Sequence, residues 1–191
     1  MSLRGRITLI FRDFTKFRGK YTPELVMAAQ YEATKAGVTY LYPKLVRNTP
    51  VGATSMLRQS TLFTPPRYNF GSTEGRPGWE VTSTMGATGG ASLYAEFVEH
   101  GRRPGKFPPI EPIRKWVRRV LGVTGAAQIR SVAYLVGRKI ARTGTPAQQF
   151  TAKTVEKEEG MTRMFMKAAA VRVLTNPKAN AIHTVERKSG L

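Results

Sequence analysis

Apolar positions recur near every 3.6 residues over much of the chain and alternate in one short central stretch, which predicts helices around a small sheet. Thr22-Pro23-Glu24 opens the first helix: a hydroxyl at the N-cap, proline at the first helical position, a carboxylate at the positive helix end. Leu25, Ala29, Ala33, Tyr40, Leu41 and Leu45 carry its stripe, with Gly37 interrupting and Pro43 set to bend or end it. Leu57 to Thr64 reads as a strand. Trp79, Val81, Ser83 and Met85 alternate with Glu80, Thr82 and Thr84 as a half-buried strand. Pro65-Pro66 and Gly71 to Gly75 predict a protruding loop between them, and Gly86 to Ser92 a second flexible segment.

The remainder reads as helical. Leu93, Tyr94, Phe97 and Val98 share a short face ending at Gly101. Ile113, Trp116, Val117, Val120 and Leu121 follow i, i+3, i+4, i+7, i+8, and Arg114, Lys115, Arg118 and Arg119 take the opposite face. Ile129, Val132, Ala133, Val136 and Ile140 repeat the pattern, backed by Arg138, Lys139 and Arg142. Thr145-Pro146 starts a last helix through Phe150, Val155, Met161, Met164, Phe165 and Ala168, which Gly160 is placed to break. The expected fold is therefore α+β: a small antiparallel sheet packed by a long N-terminal helix and several C-terminal helices. The expected organisation is a basic arm over 1–21, one domain over 22–174 with a loop protruding at about 65–78, and a loosely ordered tail over 175–191. Trp116, Phe97 and Tyr94 are the expected aromatic core, and truncating Trp116 to alanine is expected to cost about 3–5 kcal/mol.

Charge changes the picture. The 191 residues hold 31 Lys or Arg against 12 Asp or Glu, a formal charge of +19, which favours a polyanionic or acidic partner. There is no cysteine, which excludes disulfides, zinc ribbons and cysteine nucleophiles and fits a reducing compartment. The apolar run Ile7 to Phe11 stops at Arg12-Asp13, too soon for a signal-peptide core. Val81 to Ala95 is free of charge but too short and polar to span a bilayer, so a soluble protein with no membrane contact is expected.

Candidate chemistry is sparse. Asp13 is the lone aspartate, and His100 and His183 are the two histidines. Glu96 and His100 stand at i, i+4, a spacing that holds two metal ligands, but the sequence supplies no third nearby; a salt-bridged or solvated helix end explains them better. Gly101 to Lys106 resembles a phosphate loop only superficially, because its spacing is short and Pro104 lacks an amide donor. No catalytic, cofactor or metal site is therefore assigned, and no enzyme activity is expected. The basic helices carry more weight. From Arg102 to Arg142 there are eleven Lys or Arg and one acid, Glu111. Like charges at 114/118 and 115/119 destabilise an isolated helix by roughly 0.2–0.5 kcal/mol per pair, so an opposing negative surface is the expected compensation. Arg114, Lys115, Arg118, Arg119, Arg138, Lys139 and Arg142 are the candidate contacts to a polyanion or partner.

One order of motifs adds a resemblance. Thr49-Pro50-Val51-Gly52, Met56-Leu57-Arg58-Gln59-Ser60 and Tyr94-Ala95-Glu96-Phe97-Val98-Glu99-His100-Gly101 are followed by Pro108-Pro109, Trp116, Ala133-Tyr134 through Arg142, and Gly144-Thr145-Pro146-Ala147 with Phe150. Over about residues 22–160 this resembles the neck proteins of long-tailed bacteriophages, also labelled minor tail components or tail-completion proteins. The chain departs from that pattern at Gly52-Ala53-Thr54-Ser55, where the family has Asp-Thr-Gly, and at Thr151-Ala152-Lys153, where it has a proline-bearing segment.

The resemblance implies a structural virion protein made in the host bacterial cytoplasm. Its place would be the neck, between head-completion ring and tail terminator. The implied partners are further copies of the chain in a ring (a hexamer or dodecamer), neighbouring head-completion, tail-terminator or tail-tube proteins, and DNA in the channel. The alternative reading of the residues is a free-standing basic protein gripping nucleic-acid phosphates without sequence preference.

Overall fold

The structure is a computed structural model that describes residues 6–11, 21–52, 55–73 and 76–176. The elements are β1 (Arg6–Phe11), α1 (Pro23–Asn48), α2 (Met56–Gln59), β2 (Thr61–Phe63), β3 (Arg67–Thr73), β4 (Arg76–Ala87), α3 (Ala91–His100), α4 (Ile110–Val120), α5 (Ala126–Thr143) and α6 (Phe150–Thr175). The α+β class is as the patterning predicts. Contacts gather the described chain into two compact units, one of 48–61 and 86–153, the other of 6–47, 62–85 and 154–176. The domain expected over 22–174 has residues in both. Of the arm, residues 6–11 form an edge strand beside β4; the expected tail lies outside the described residues from 177 onward.

In the unit that holds most of α1 and α6, α1 packs on the sheet and on α6. The Thr22 hydroxyl accepts the Leu25 amide at 3.4 Å, and the helix runs unbroken past Pro43 to Asn48. Thr39, whose carbonyl Pro43 leaves unbonded, is exposed, so water can satisfy it. Tyr31 stacks on Tyr68 with centroids 5.6 Å apart, and Tyr42 meets Phe63 at 4.9 Å. Val81, Ser83 and Met85 are buried on β4, as their alternation requires.

The segment expected as a loop over 65–78 is largely a strand pair. β3 runs antiparallel to β4 from Arg67↔Thr82 to Thr73↔Arg76. Earlier, the Thr64 amide donates to the Thr84 carbonyl at 2.8 Å, a register that Arg67↔Thr82 misses by one residue. The extra residue falls at Thr64-Pro65-Pro66, where two prolines have no amide to offer a ladder, so the strand bulges and resumes. The stretch 57–64 likewise begins as the helical turn α2 before β2 starts.

The core between α1 and α6 sets two alanines of α1 against a mixed face of α6. Ala29 and Ala33 pack with Met166, Ala170, Val173 and Leu174, flanked by Tyr21, Leu25 and Ala28. Thr34 and Thr162 are also buried, each hydroxyl donating to the carbonyl four residues back at 2.9 and 2.8 Å. The apolar series expected along the last helix therefore divides. Phe150 is buried, but Met161, Met164, Phe165 and Ala168 are exposed, and α6 continues through Gly160 without a break.

In the other unit, α4 and α5 form a helical pair through Ile113 and Val117 against Ile129 and Ala133. Trp116 is half-buried at the edge of this seam, so its truncation removes less than the expected 3–5 kcal/mol. Val120 and Leu121 are exposed, because α4 packs chiefly on one neighbour and only a narrow face is covered. Tyr94 and Phe97 are not core residues: they are 56% and 59% exposed. The buried face of α3 is Ala91, Ala95 and Glu99, and Phe97 stands about 200° around the helix from Ala95.

The assignment of faces on α6 makes a paired prediction. Ala170→Leu should overpack the seam with α1 and destabilise by about 1–3 kcal/mol, whereas Ala168→Leu should stay within about 0.5 kcal/mol of wild type. Urea unfolding of the two variants measures the difference.

Candidate functional site

Three sets of side chains concern function: the cations of α4 and α5, the residues of the sequence motifs, and an apolar groove. On α4, Lys115, Arg118 and Arg119 are exposed, while Arg114 is half-buried and ion-paired with Glu111 one turn earlier. The like-charge strain expected at 114/118 is thus partly relieved within α4 itself. On α5, Arg138, Lys139 and Arg142 are exposed together with Arg130. Among the described residues, Lys115, Arg118, Arg138, Lys139 and Arg142 make no ion pair. Both helices turn their cations away from the shared seam, as the periodicity predicts.

The motif residues bond to one another through backbone. The Arg58 guanidinium donates to the Thr49 carbonyl from Nη2 at 2.9 Å and Nε at 3.2 Å. The Glu99 carboxylate, buried at 4% exposure, accepts the Thr151 amide at 2.9 Å and the Ala152 amide at 3.0 Å. These are free donors of the first turn of α6, so a side chain from α3 caps a helix that begins 51 residues later. Arg102 and Thr145 exchange both backbone hydrogen bonds, at 2.9 and 2.8 Å. Gly101 and Gly144 flank this bridge with φ of +75° and +74°. A Cβ on Gly144 would fall 2.0 Å from the Arg102 carbonyl oxygen, so only glycine fits.

The same bridge settles what Gly101 to Lys106 does. The Arg102 amide is taken by Thr145 and the Gly105 amide by Ala141, so neither is offered to a phosphate. Glu96 and His100 are exposed, and no group of three or more His, Cys, Asp or Glu able to hold a metal occurs among the described residues.

The groove was not foreseen in the sequence. It is a shallow depression between α1 and α6, open to solvent, of about 670 Å³, lined by Lys35, Ala36, Tyr40, Phe165, Ala168 and Arg172 among others. Tyr40 and Phe165 meet with centroids 4.7 Å apart, and the Tyr40 hydroxyl donates to Glu158 at 2.6 Å. That hydrogen bond, with burial and the carboxylate's charge, raises the Tyr40 phenol above its ordinary range. Of the residues read at helical spacing on the last helix, Phe165 and Ala168 line the groove, but spacing alone does not say which of two faces is covered.

Comparison with known proteins adds no relative: no protein-family model, curated protein or solved structure matches the chain.

Two predictions follow from these contacts. Glu99→Ala should leave the buried Thr151 amide and the part-buried Ala152 amide without this acceptor and destabilise by about 1–3 kcal/mol, while Glu96→Ala on the same helix should change stability by under about 0.5 kcal/mol. Thermal unfolding distinguishes them. In an ultraviolet pH titration, the Tyr40 phenol should ionise above the ordinary phenol range, and in Glu158→Gln it should move down toward that range. Because folding raises this pKa, its stabilising contribution is complete below the ordinary phenol range and is lost as pH climbs through the raised value.

Proposed function

We propose that this chain is a structural protein of a tailed bacteriophage, forming a ring in the neck that joins head connector to tail around the DNA channel. The observation that carries the reading is how the resemblance motifs are used. The Arg58 side chain donates to the Thr49 carbonyl, Arg102 and Thr145 exchange backbone bonds between Gly101 and Gly144, and Glu99 accepts the amides of Thr151 and Ala152, where the chain departs from the pattern, all in one compact unit. Residues used this way set a scaffold and supply no reacting group, which suits a protein whose work is to be assembled. The exposed cations of α4 and α5 suit a neighbour or a DNA channel of opposite charge. No helix among the described residues is long and apolar enough to cross a membrane.

Mass measurement and negative-stain imaging of the purified protein test this directly, with closed rings as the expected result. The unpaired Lys115, Arg118, Arg138, Lys139 and Arg142 also favour a second reading, a monomer gripping nucleic-acid phosphates. Steep salt dependence of duplex binding by a particle of one-chain mass would select it.

A triple variant, Lys115→Gln with Arg118→Gln and Arg138→Gln, should melt at or above the wild-type temperature, since it removes exposed like charges that make no ion pair among the described residues. It should also lower the yield of joined particles and the salt sensitivity of the contact this face makes. Normal yields from the triple variant would reduce the face to solvated surface.

A further inference from the structure

Among the exposed apolar surfaces of the described residues, two differ in shape in a way that lets one fit the other. One is convex: Tyr94 and Phe97, three residues apart on α3 and each more than half exposed. The other is concave: the groove walled by Glu32 to Tyr40 of α1 and Phe165 to Arg172 of α6. Large exposed aromatics beside a polar rim mark an interaction surface. An amphipathic helix laid in a groove anchors through residues at i and i+3, which is the spacing of Tyr94 and Phe97.

Dimensions and charge agree. At a rise of about 1.5 Å per residue, α3 is about 15 Å long and the α1 wall of the groove about 12 Å. The groove floor already pairs Tyr40 with Phe165, leaving ring edges and faces for further aromatics. Glu96 stands exposed between Tyr94 and Phe97 with no ion pair among the described residues, in a chain where acids are outnumbered 31 to 12. Arg172 on the groove rim is exposed and likewise makes no ion pair among them. Each apolar surface thus carries an unanswered charge, and the two are opposite in sign.

We propose that α3 of one copy lies in the α1/α6 groove of the next, with Tyr94 and Phe97 entering beside Tyr40 and Phe165 and Glu96 meeting Arg172. The occupant of the groove is a second copy of this chain. Because donor and acceptor surfaces differ, the contact is heterologous, and repetition closes a ring or continues a filament. The inference rests on the ring-forming reading and names the surfaces that make the ring.

Two single variants test it, both at exposed positions. Phe97→Asp spoils α3 and leaves the groove, and Ala168→Arg fills the groove and leaves α3. At a dilution where the wild type is also of one-chain mass, each should keep its melting temperature. By native mass spectrometry, the wild type should form closed multimers, and each variant alone should lose them, with affinity down about a hundredfold for a desolvated aromatic anchor. An equimolar mixture should give a heterodimer and nothing larger, since it contains one intact α3 facing one intact groove. A mixture that stays monomeric overturns the inference. Wild-type rings that persist in Phe97→Asp overturn it and leave the ring reading standing. If Ala168→Arg is monomeric but Phe97→Asp still pairs with itself, the occupant is a second α6 and α3 is excluded. A wild type of one-chain mass at every concentration overturns both the contact and the ring.

Discussion

The buried carboxylate of Glu99 decides where the last helix begins. A carboxylate in this position would be unfavourable without partners, since removing its hydration costs several kcal/mol. The first-turn amides of α6 supply them, and the positive end of the helix favours the charge that water no longer stabilises. Each side satisfies the other, because the amides of Thr151 and Ala152 would otherwise lack acceptors. The neighbouring backbone exchange between Arg102 and Thr145 needs two glycines in left-handed conformation. Together these bonds fix the phase of α3, so that Ala91 and Ala95 must turn inward with Glu99. Exposure of Tyr94 and Phe97 follows from that phase and from no preference of their own.

A second constraint acts between α1 and α6. Ala29 and Ala33 are the α1 side of the seam, and Thr34 and Thr162 are buried by bonding back to their own helices. Met166, Val173 and Leu174 fill the α6 side of this seam, while Met161, Met164 and Phe165 of α6 are left exposed. The groove is a result of that choice. Tyr40 and Phe165 line a depression because the alanines and threonines beside them have taken the buried positions.

This explains what could be read in the chain and what could not. The N-cap at Thr22, the buried alternation of Val81, Ser83 and Met85, and the α4/α5 seam all follow local periodicity, and each is legible. Phe97, Met164 and Phe165 were misplaced by the same rule, which assumes that the bulkiest apolar residues mark the covered face. Nothing local announces that alanine and threonine form the seam, because that depends on a partner helix more than a hundred residues away. Pro65-Pro66 reads as a loop for a similar reason: the chain bulges there and then resumes a ladder whose other strand lies further on. The basic faces were legible as faces, but the pairing of Arg114 with Glu111 depends on rotamers that spacing only permits.

The distribution of acids bears on what the surface must meet. Glu99 is committed to α6, Glu158 to Tyr40, and Glu111, Glu159 and Glu32 to cations one helical turn away. The other seven acids stand against 31 Lys or Arg, and Lys115, Arg118, Arg138, Lys139 and Arg142 make no ion pair among the described residues. Their mutual repulsion is weak in water and weaker in salt, so the isolated chain tolerates it. Placed against copies of itself, however, each added copy brings another positive face into a smaller volume, and repulsion grows with the number joined. An assembly of such chains therefore needs an attraction that does not depend on net charge, such as aromatic burial, together with a polyanion or acidic neighbour on the basic side. The apolar contact and the basic face are two halves of one requirement: the first holds like-charged copies together, and the second is neutralised only when a partner arrives.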